Sequence, residues 1–253
     1  MKRYAVFVMR FALATMISGT FVVSTTGRES PIEWAHIVLG FVTIYLIIGL
    51  LMRSTNYPEL RAPGALALVL ALLEAIPGTP RLHAAISPLL FTALAWAALA
   101  RPHGTAGVTR GKRQIFILPL LVIGAIFYGV GYRHATSGFV PHLGMALLAA
   151  GLLLGVCVAM NQNHPDDAVL CGAAKLTIAA LLFQIVAGVA AFVIRVLDMD
   201  GGLALGLART AHISGAALVL AAATMLALEY SCGATKGAAE NPESLPRRIV
   251  SGS

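Results

Sequence analysis

The sequence predicts an all-α polytopic membrane protein: eight transmembrane helices arranged as two four-helix bundle repeats. Three observations carry this prediction. The first is composition, 58% hydrophobic and 11% charged over 253 residues, with a mean hydropathy of +0.83; a soluble domain of this size needs a far more polar surface. The second is a series of apolar runs near the roughly 20 residues a helix needs to cross about 30 Å of hydrocarbon. The third is the placement of Lys and Arg, which gather in alternate connections between those runs.

In chain order, the spans fall at about 4–25, 32–52, 62–78, 82–100, 114–133, 140–160, 173–195 and 203–229. Arg10 interrupts the apolar stretch of the first, and no small-x-small cleavage site follows it, so the segment reads as a retained helix. The third span is short and ends at Pro77-Gly78. Past Ser231 the chain turns polar and rich in Gly, Pro and Glu, which predicts a disordered tail over 231–253.

One set of connections holds Lys2, Arg3, Arg53, Arg61, Arg101, Arg110, Lys112, Arg113, Lys175, Lys236, Arg247 and Arg248. The other holds only Arg28, Arg81, Arg133, Arg195 and Arg209. This bias places both termini in the cytoplasm, in a bacterial-type inner membrane, with membrane lipid as the surrounding partner. The formal charge of +7 is thereby spent on topology, and nucleic acid is not expected. Cys157 lies in an apolar run while Cys171 and Cys232 lie in polar segments; no CxxC spacing occurs, so neither zinc nor a redox pair is indicated.

The Gly- and Arg-rich segment from Arg101 to Lys112 divides the chain into residues 1–104 and 105–230. The halves resemble each other. MISGTF at 16–21 compares with VIGAIF at 122–127, and Glu74 with Gly78 compares with Gln184 with Gly188. An internal duplication accounts for both matches. Gly19, Gly78, Gly124 and Gly188 on the odd helices suit close helix packing or the face of a flat ligand.

The histidines follow the same division. His103, His134 and His164 lie in connections, whereas His36, His83, His142 and His212 each lie in the first turns of an even helix. Those helices all start on the outer side, so the four imidazoles share one depth. Imidazole within a membrane is costly unless paired or ligated. Two imidazoles on neighbouring helices supply both axial ligands of a heme iron, and two such pairs, His36 with His83 and His142 with His212, predict two heme sites. Arg81 and Arg209, just before His83 and His212, suit heme carboxylates. Glu33 precedes His36 by three residues and shares its helix face, where Phe139 precedes His142. The first site therefore carries a carboxylate suited to proton transfer and the second does not.

On these residues the chain resembles the heme A synthase family, over roughly residues 4–230. Glu33 and His36 match its Glu-x-x-His motif, His83, His142 and His212 match its other even-helix histidines, and Gln184-x-x-x-Gly188 matches its seventh-helix pattern. The resemblance implies that heme O binds in the first half, between His36 and His83. Its C8 methyl would be oxidised to a formyl by successive hydroxylations, giving heme A for cytochrome c oxidase, with Glu33 as the catalytic carboxylate. Heme B would be held by His142 and His212 and pass electrons. The implied partners are a heme O synthase or other heme-delivery protein, an electron donor such as a quinol or redox protein, and a second copy of the chain. Two departures stand against the family pattern. Ile37 follows His36 where the family has Arg, and the first outer connection is only TTGRESP. Two other readings of the same histidines are a diheme b-type cytochrome that only transfers electrons and a factor that binds heme for delivery.

Overall fold

The computed structural model of the protein describes residues 1–25, 31–76, 80–99, 114–197 and 202–239. The regular structure of these residues is helical throughout: α1 Lys2–Thr25, α2 Pro31–Arg53, α3 Arg61–Glu74, α4 Pro80–Leu99, α5 Ile117–Arg133, α6 Phe139–Asn163, α7 Ala168–Val196 and α8 Gly202–Ala239. Two short 3-10 turns, Ser54–Asn56 and Pro58–Leu60, join α2 to α3. Seven of these helices are long and apolar enough to cross a membrane, and the chain is read as an integral membrane protein.

The exception is α3. It has 14 residues, about 21 Å of helix at 1.5 Å per residue, and it ends at Glu74 where the sequence predicted a run to 78. Pro77 explains the stop, because a proline pushes the residue before it out of the helical region; Pro77 and Gly78 themselves lie outside the described residues.

Two other boundaries move. Helix α7 starts at Ala168, five residues earlier than expected, because the Asp167 carboxylate caps it, accepting from the backbone N–H of Val169 at 3.1 Å and Leu170 at 3.0 Å. Cys171 is thus a buried helical residue whose thiol donates to the His164 carbonyl at 3.2 Å, not part of a polar connection. Helix α8 runs on to Ala239, past the predicted start of a tail at 231.

Helices α1, α2, α3 and α4 pack in a ring of neighbours, as do α5, α6, α7 and α8, and α8 also lies against α1 and α4. The first group closes on Val8, Ile47, Leu50, Ala67 and Leu94, the second on Leu153, Cys157, Ala174, Leu220 and Leu226. Between them a small seam of Met16, Phe91, Ala95, Ala217 and Ala221 lets α1, α4 and α8 approach closely, as small residues do between membrane helices. The outward faces carry large apolar side chains, including Trp34, Phe41 and Tyr45 on α2 and Val140 and Leu147 on α6. In lipid these are favourable surface.

Candidate functional site

Each of the four even-helix histidines reaches back to the preceding odd helix, and each does so in the same way. His36 Nδ1 lies 3.1 Å from the Thr15 carbonyl, His83 Nδ1 3.4 Å from that of Glu74, His142 Nδ1 3.1 Å from that of Ala125 and His212 Nδ1 3.3 Å from that of Gln184. A carbonyl oxygen only accepts, so Nδ1 carries the proton and donates. In the neutral ring, Nε2 is then the nitrogen with the lone pair. Fixing one ring nitrogen on a backbone carbonyl is how proteins orient a histidine that ligates through the other.

The odd helices make room for the rings. A Cβ added at Gly19 would strike the His36 ring; at Gly129 it would stand 2.9 Å from His142 Cε1, and at Gly188 2.7 Å from His212 Cε1. Each of these glycines follows the accepting carbonyl by four residues: Thr15 and Gly19, Ala125 and Gly129, Gln184 and Gly188. In a helix the carbonyl of one residue sits beneath the residue one turn on, so removing the Cβ there opens the oxygen to a second donor. Glu74 and Gly78 have the same spacing, though Gly78 lies outside the described residues. Gly19, Gly129 and Gly188 thus seat imidazoles. In α5 the seat is Gly129, and Gly124 instead faces Met145; the sequence match of MISGTF to VIGAIF is out of register by four residues at this point.

The imidazoles meet in the pairs the sequence suggested. His36 and His83 have ring centroids 5.9 Å apart and planes at 85°; His142 and His212 are 6.2 Å apart at 86°. Among the described residues no three His, Cys, Asp or Glu side chains gather round one point, so each pair offers two protein ligands.

The surroundings of the pairs differ. Around His36 and His83 a cleft of about 280 Å³ opens between α1, α2, α3 and α4. Its walls are mostly apolar, with Ile37, Phe41, Ile44, Leu90 and Phe91, and its polar lining includes Glu74 and Ser87. Glu33 stands one turn before His36 and acts on it electrostatically, but it is not among the residues that line the cleft. Beside His142 stands an aromatic group. Tyr132 stacks on His142 at 6.4 Å and 6°, Phe139 lies 5.5 Å from Tyr132, and Phe139 stacks on Phe192 at 5.2 Å. Arg195 holds Tyr132 in place, donating to its hydroxyl at 2.8 Å with the guanidinium over the ring.

Arg81 is exposed at the first turn of α4 and Arg209 is half-buried on α8. Neither makes a hydrogen bond or ion pair to another described residue. Arg133, at the outer end of α5, feels the charge of Arg209, and its guanidinium donates to the Val23 carbonyl at 3.3 Å. His134 lies beside Arg133 and Arg81; partial desolvation first, and then these two cations, lower its pKa below the usual 6.5. The cations of α4, α5 and α8 therefore converge at one end of the molecule. His164 caps α6, exposed, with Tyr230 edge-on at 6.1 Å; His103 lies outside the described residues. The sequence missed the role of Gly129 and of the Tyr132–Phe139–Phe192 group. No protein-family model matches the chain, and no curated protein matches it in sequence.

Proposed function

We propose that this protein is a membrane heme oxidoreductase of the heme A synthase type, converting heme O to heme A in the first four-helix group and holding heme B in the second. The observation that supports this most is the repeated imidazole pair with Nδ1 on a carbonyl and Nε2 left for a metal. With ring centroids 5.9 and 6.2 Å apart, the two imidazoles of each pair stand near enough together that both would hold one heme iron. The four equivalent carbonyl contacts also favour a duplicated four-helix repeat, residues 1–104 and 105–230.

In this reading His142 and His212 hold heme B and His36 with His83 flank heme O. The iron porphyrins supply one-electron transfer in the second site and oxygen-dependent oxidation of the C8 methyl in the first. The chain's own residues do the rest. The four carbonyls fix the imidazoles before any ligand arrives. Arg81 and Arg209 meet carboxylates at the outer end, with charge-assisted hydrogen bonds. Tyr132, Phe139 and Phe192 exclude water from the second site, which suits a permanent occupant. The apolar, open first cleft suits a ligand that enters and leaves. Glu33, at the outer turn of α2, accepts or returns protons, a role Phe139 is unable to fill. Heme O would arrive from a heme O synthase or a delivery protein, and electrons from a quinol or a redox protein. Both termini would face the cytoplasm of a bacterial-type inner membrane.

A diheme b-type cytochrome is the second reading. It is favoured by the near-equality of the two pairs, by Ile37 beside His36, and by the absence of Glu33 from the cleft wall. Co-expression with a heme O synthase, followed by heme extraction and chromatography, separates the two. The enzyme reading expects hydroxylated heme and heme A under air, and expects Glu33→Ala to remove them while the heme B spectrum persists. Heme B and heme O alone would establish the carrier instead.

A further inference from the structure

The carboxyl group that lines the first cleft belongs to Glu74, and its side chain has no part in the reading above. It sits on the last turn of α3. Its backbone carbonyl takes the His83 proton, while its side-chain Oε1 is buried and has no hydrogen-bond partner. The Ser87 hydroxyl interacts with this carboxyl, but its own proton goes to the His83 carbonyl at 3.0 Å, and Oε1 itself is left without a donor. A buried acceptor left without a donor is costly and rare.

The second group repeats the position with different chemistry. Gln184 stands where Glu74 does: its carbonyl takes the His212 proton, and its Oε1 is also buried without a partner. Ser87 follows His83 by four residues, and Ala216 follows His212 by four. Thus carboxyl and hydroxyl in the first site correspond to amide and methyl in the second. Gln184 is also packed tightly, since a Cβ at Gly215 would strike its Oε1, whereas Glu74 borders open space.

We infer that Glu74 is the recognition group of the first cleft, its Oε1 accepting a hydrogen bond from a hydroxyl on the porphyrin bound there. The inference rests on the proposed function, in which a methyl of that porphyrin becomes hydroxylated. A methyl offers Oε1 nothing; an alcohol or a hydrated aldehyde offers a donor. Glu74 therefore retains partly oxidised ligand in the cleft until the oxidation is complete. A carboxylate oxygen and the carbonyl oxygen of a carboxylic acid both accept, so the role holds in either protonation state. Glu74 is a binding residue here, and its backbone contact to His83 survives substitution of its side chain.

The test uses the purified full-length protein with its second-site heme in place. It is titrated, without oxygen, with heme O and with the same heme carrying a hydroxyl on its C8 methyl, so that the two ligands differ by that hydroxyl alone. Binding is read from the absorbance change on ligation and from retention through gel filtration. The wild type should hold the hydroxylated porphyrin about tenfold more tightly, the effect of one buried hydrogen bond. Glu74→Leu should abolish that preference, and Glu74→Gln should keep it, because an amide oxygen also accepts. An unchanged second-site spectrum shows that each variant is folded, and Glu74→Met replaces Glu74→Leu if the latter does not fold. A preference that survives in the apolar variant, or that is missing in the wild type, overturns the role of Glu74 alone. Failure of the wild type to bind either porphyrin in the first cleft overturns the porphyrin reading together with it.

Discussion

At the scale of single residues, the seat under each imidazole is the most exacting feature. Gly188→Ala places a methyl 2.7 Å from His212 Cε1, well inside contact distance, and the ring has to leave the Gln184 carbonyl to make room. Losing one oriented hydrogen bond is worth about 1 kcal/mol, so on the proposed function the heme retained in the second site should fall about fivefold, read as the reduced-minus-oxidised absorbance of purified protein. Ala at Gly144, which has no neighbour within 4 Å of an added Cβ, should leave it unchanged. His134 gives a prediction outside the membrane span. Its folded pKa lies below 6.5 because of desolvation and the nearby Arg133 and Arg81, so the folded protein binds fewer protons there than the unfolded chain does. The associated stability is present at neutral pH and above and is lost as pH falls through 6.5. An NMR titration of the ring should show a midpoint below 6.5, and Arg81→Gln should raise it. The histidines themselves were legible in the sequence because their cost in a membrane marks them. Gly129 was not, because a glycine among glycines acquires meaning only once the neighbouring helix is in place; Glu74 was visible as the counterpart of Gln184, but its place on the cleft wall was not.

At the scale of elements, α3 decides the topology. The other seven helices pass the length and hydropathy a span requires, and α3 at 14 residues does not. Its sequence looked like a span because the apolar composition continues to Ile76; the proline that follows stops the helix without interrupting the hydrophobicity. If α3 with its flanking turns crosses a locally thinned bilayer, the crossings are even in number and both termini lie on one side. Reporters fused after Tyr57 and within the 77–79 connection should then report opposite sides, and N- and C-terminal reporters the same side. Matching signals at Tyr57 and 77–79 would show that α3 is re-entrant. Helix starts and stops were otherwise legible to within a few residues. The exceptions were α7, where the Asp167 cap was overlooked, and α8, which runs on beyond its apolar part.

At the scale of the whole molecule, two helix groups meet along a narrow seam of Met16, Phe91, Ala95, Ala217 and Ala221. Each group also has its own core. Residues 1–104 and 105–253 expressed as separate chains should therefore co-purify and, on the proposed function, retain second-site heme, measured by affinity capture of one chain and absorbance of the eluate. Ala217→Trp, at a fully buried place in the seam, should release the partner chain while the captured second group keeps its heme. This division was visible in the sequence as the polar segment between Arg101 and Lys112. The way α8 spreads over α1 and α4 was not, because small apolar residues pack against any neighbour and do not name one.

The carbonyl-and-glycine seat has a consequence for how this chain tolerates change in length. An extra residue anywhere between Thr15 and Gly19, Ala125 and Gly129, or Gln184 and Gly188 would swing one member of the pair by about 100° around the helix, and acceptor and opening would no longer coincide. An extra residue in a connection disturbs neither. Insertions and deletions should therefore be accepted freely between helices and refused inside three stretches of five residues, whatever the amino acid inserted.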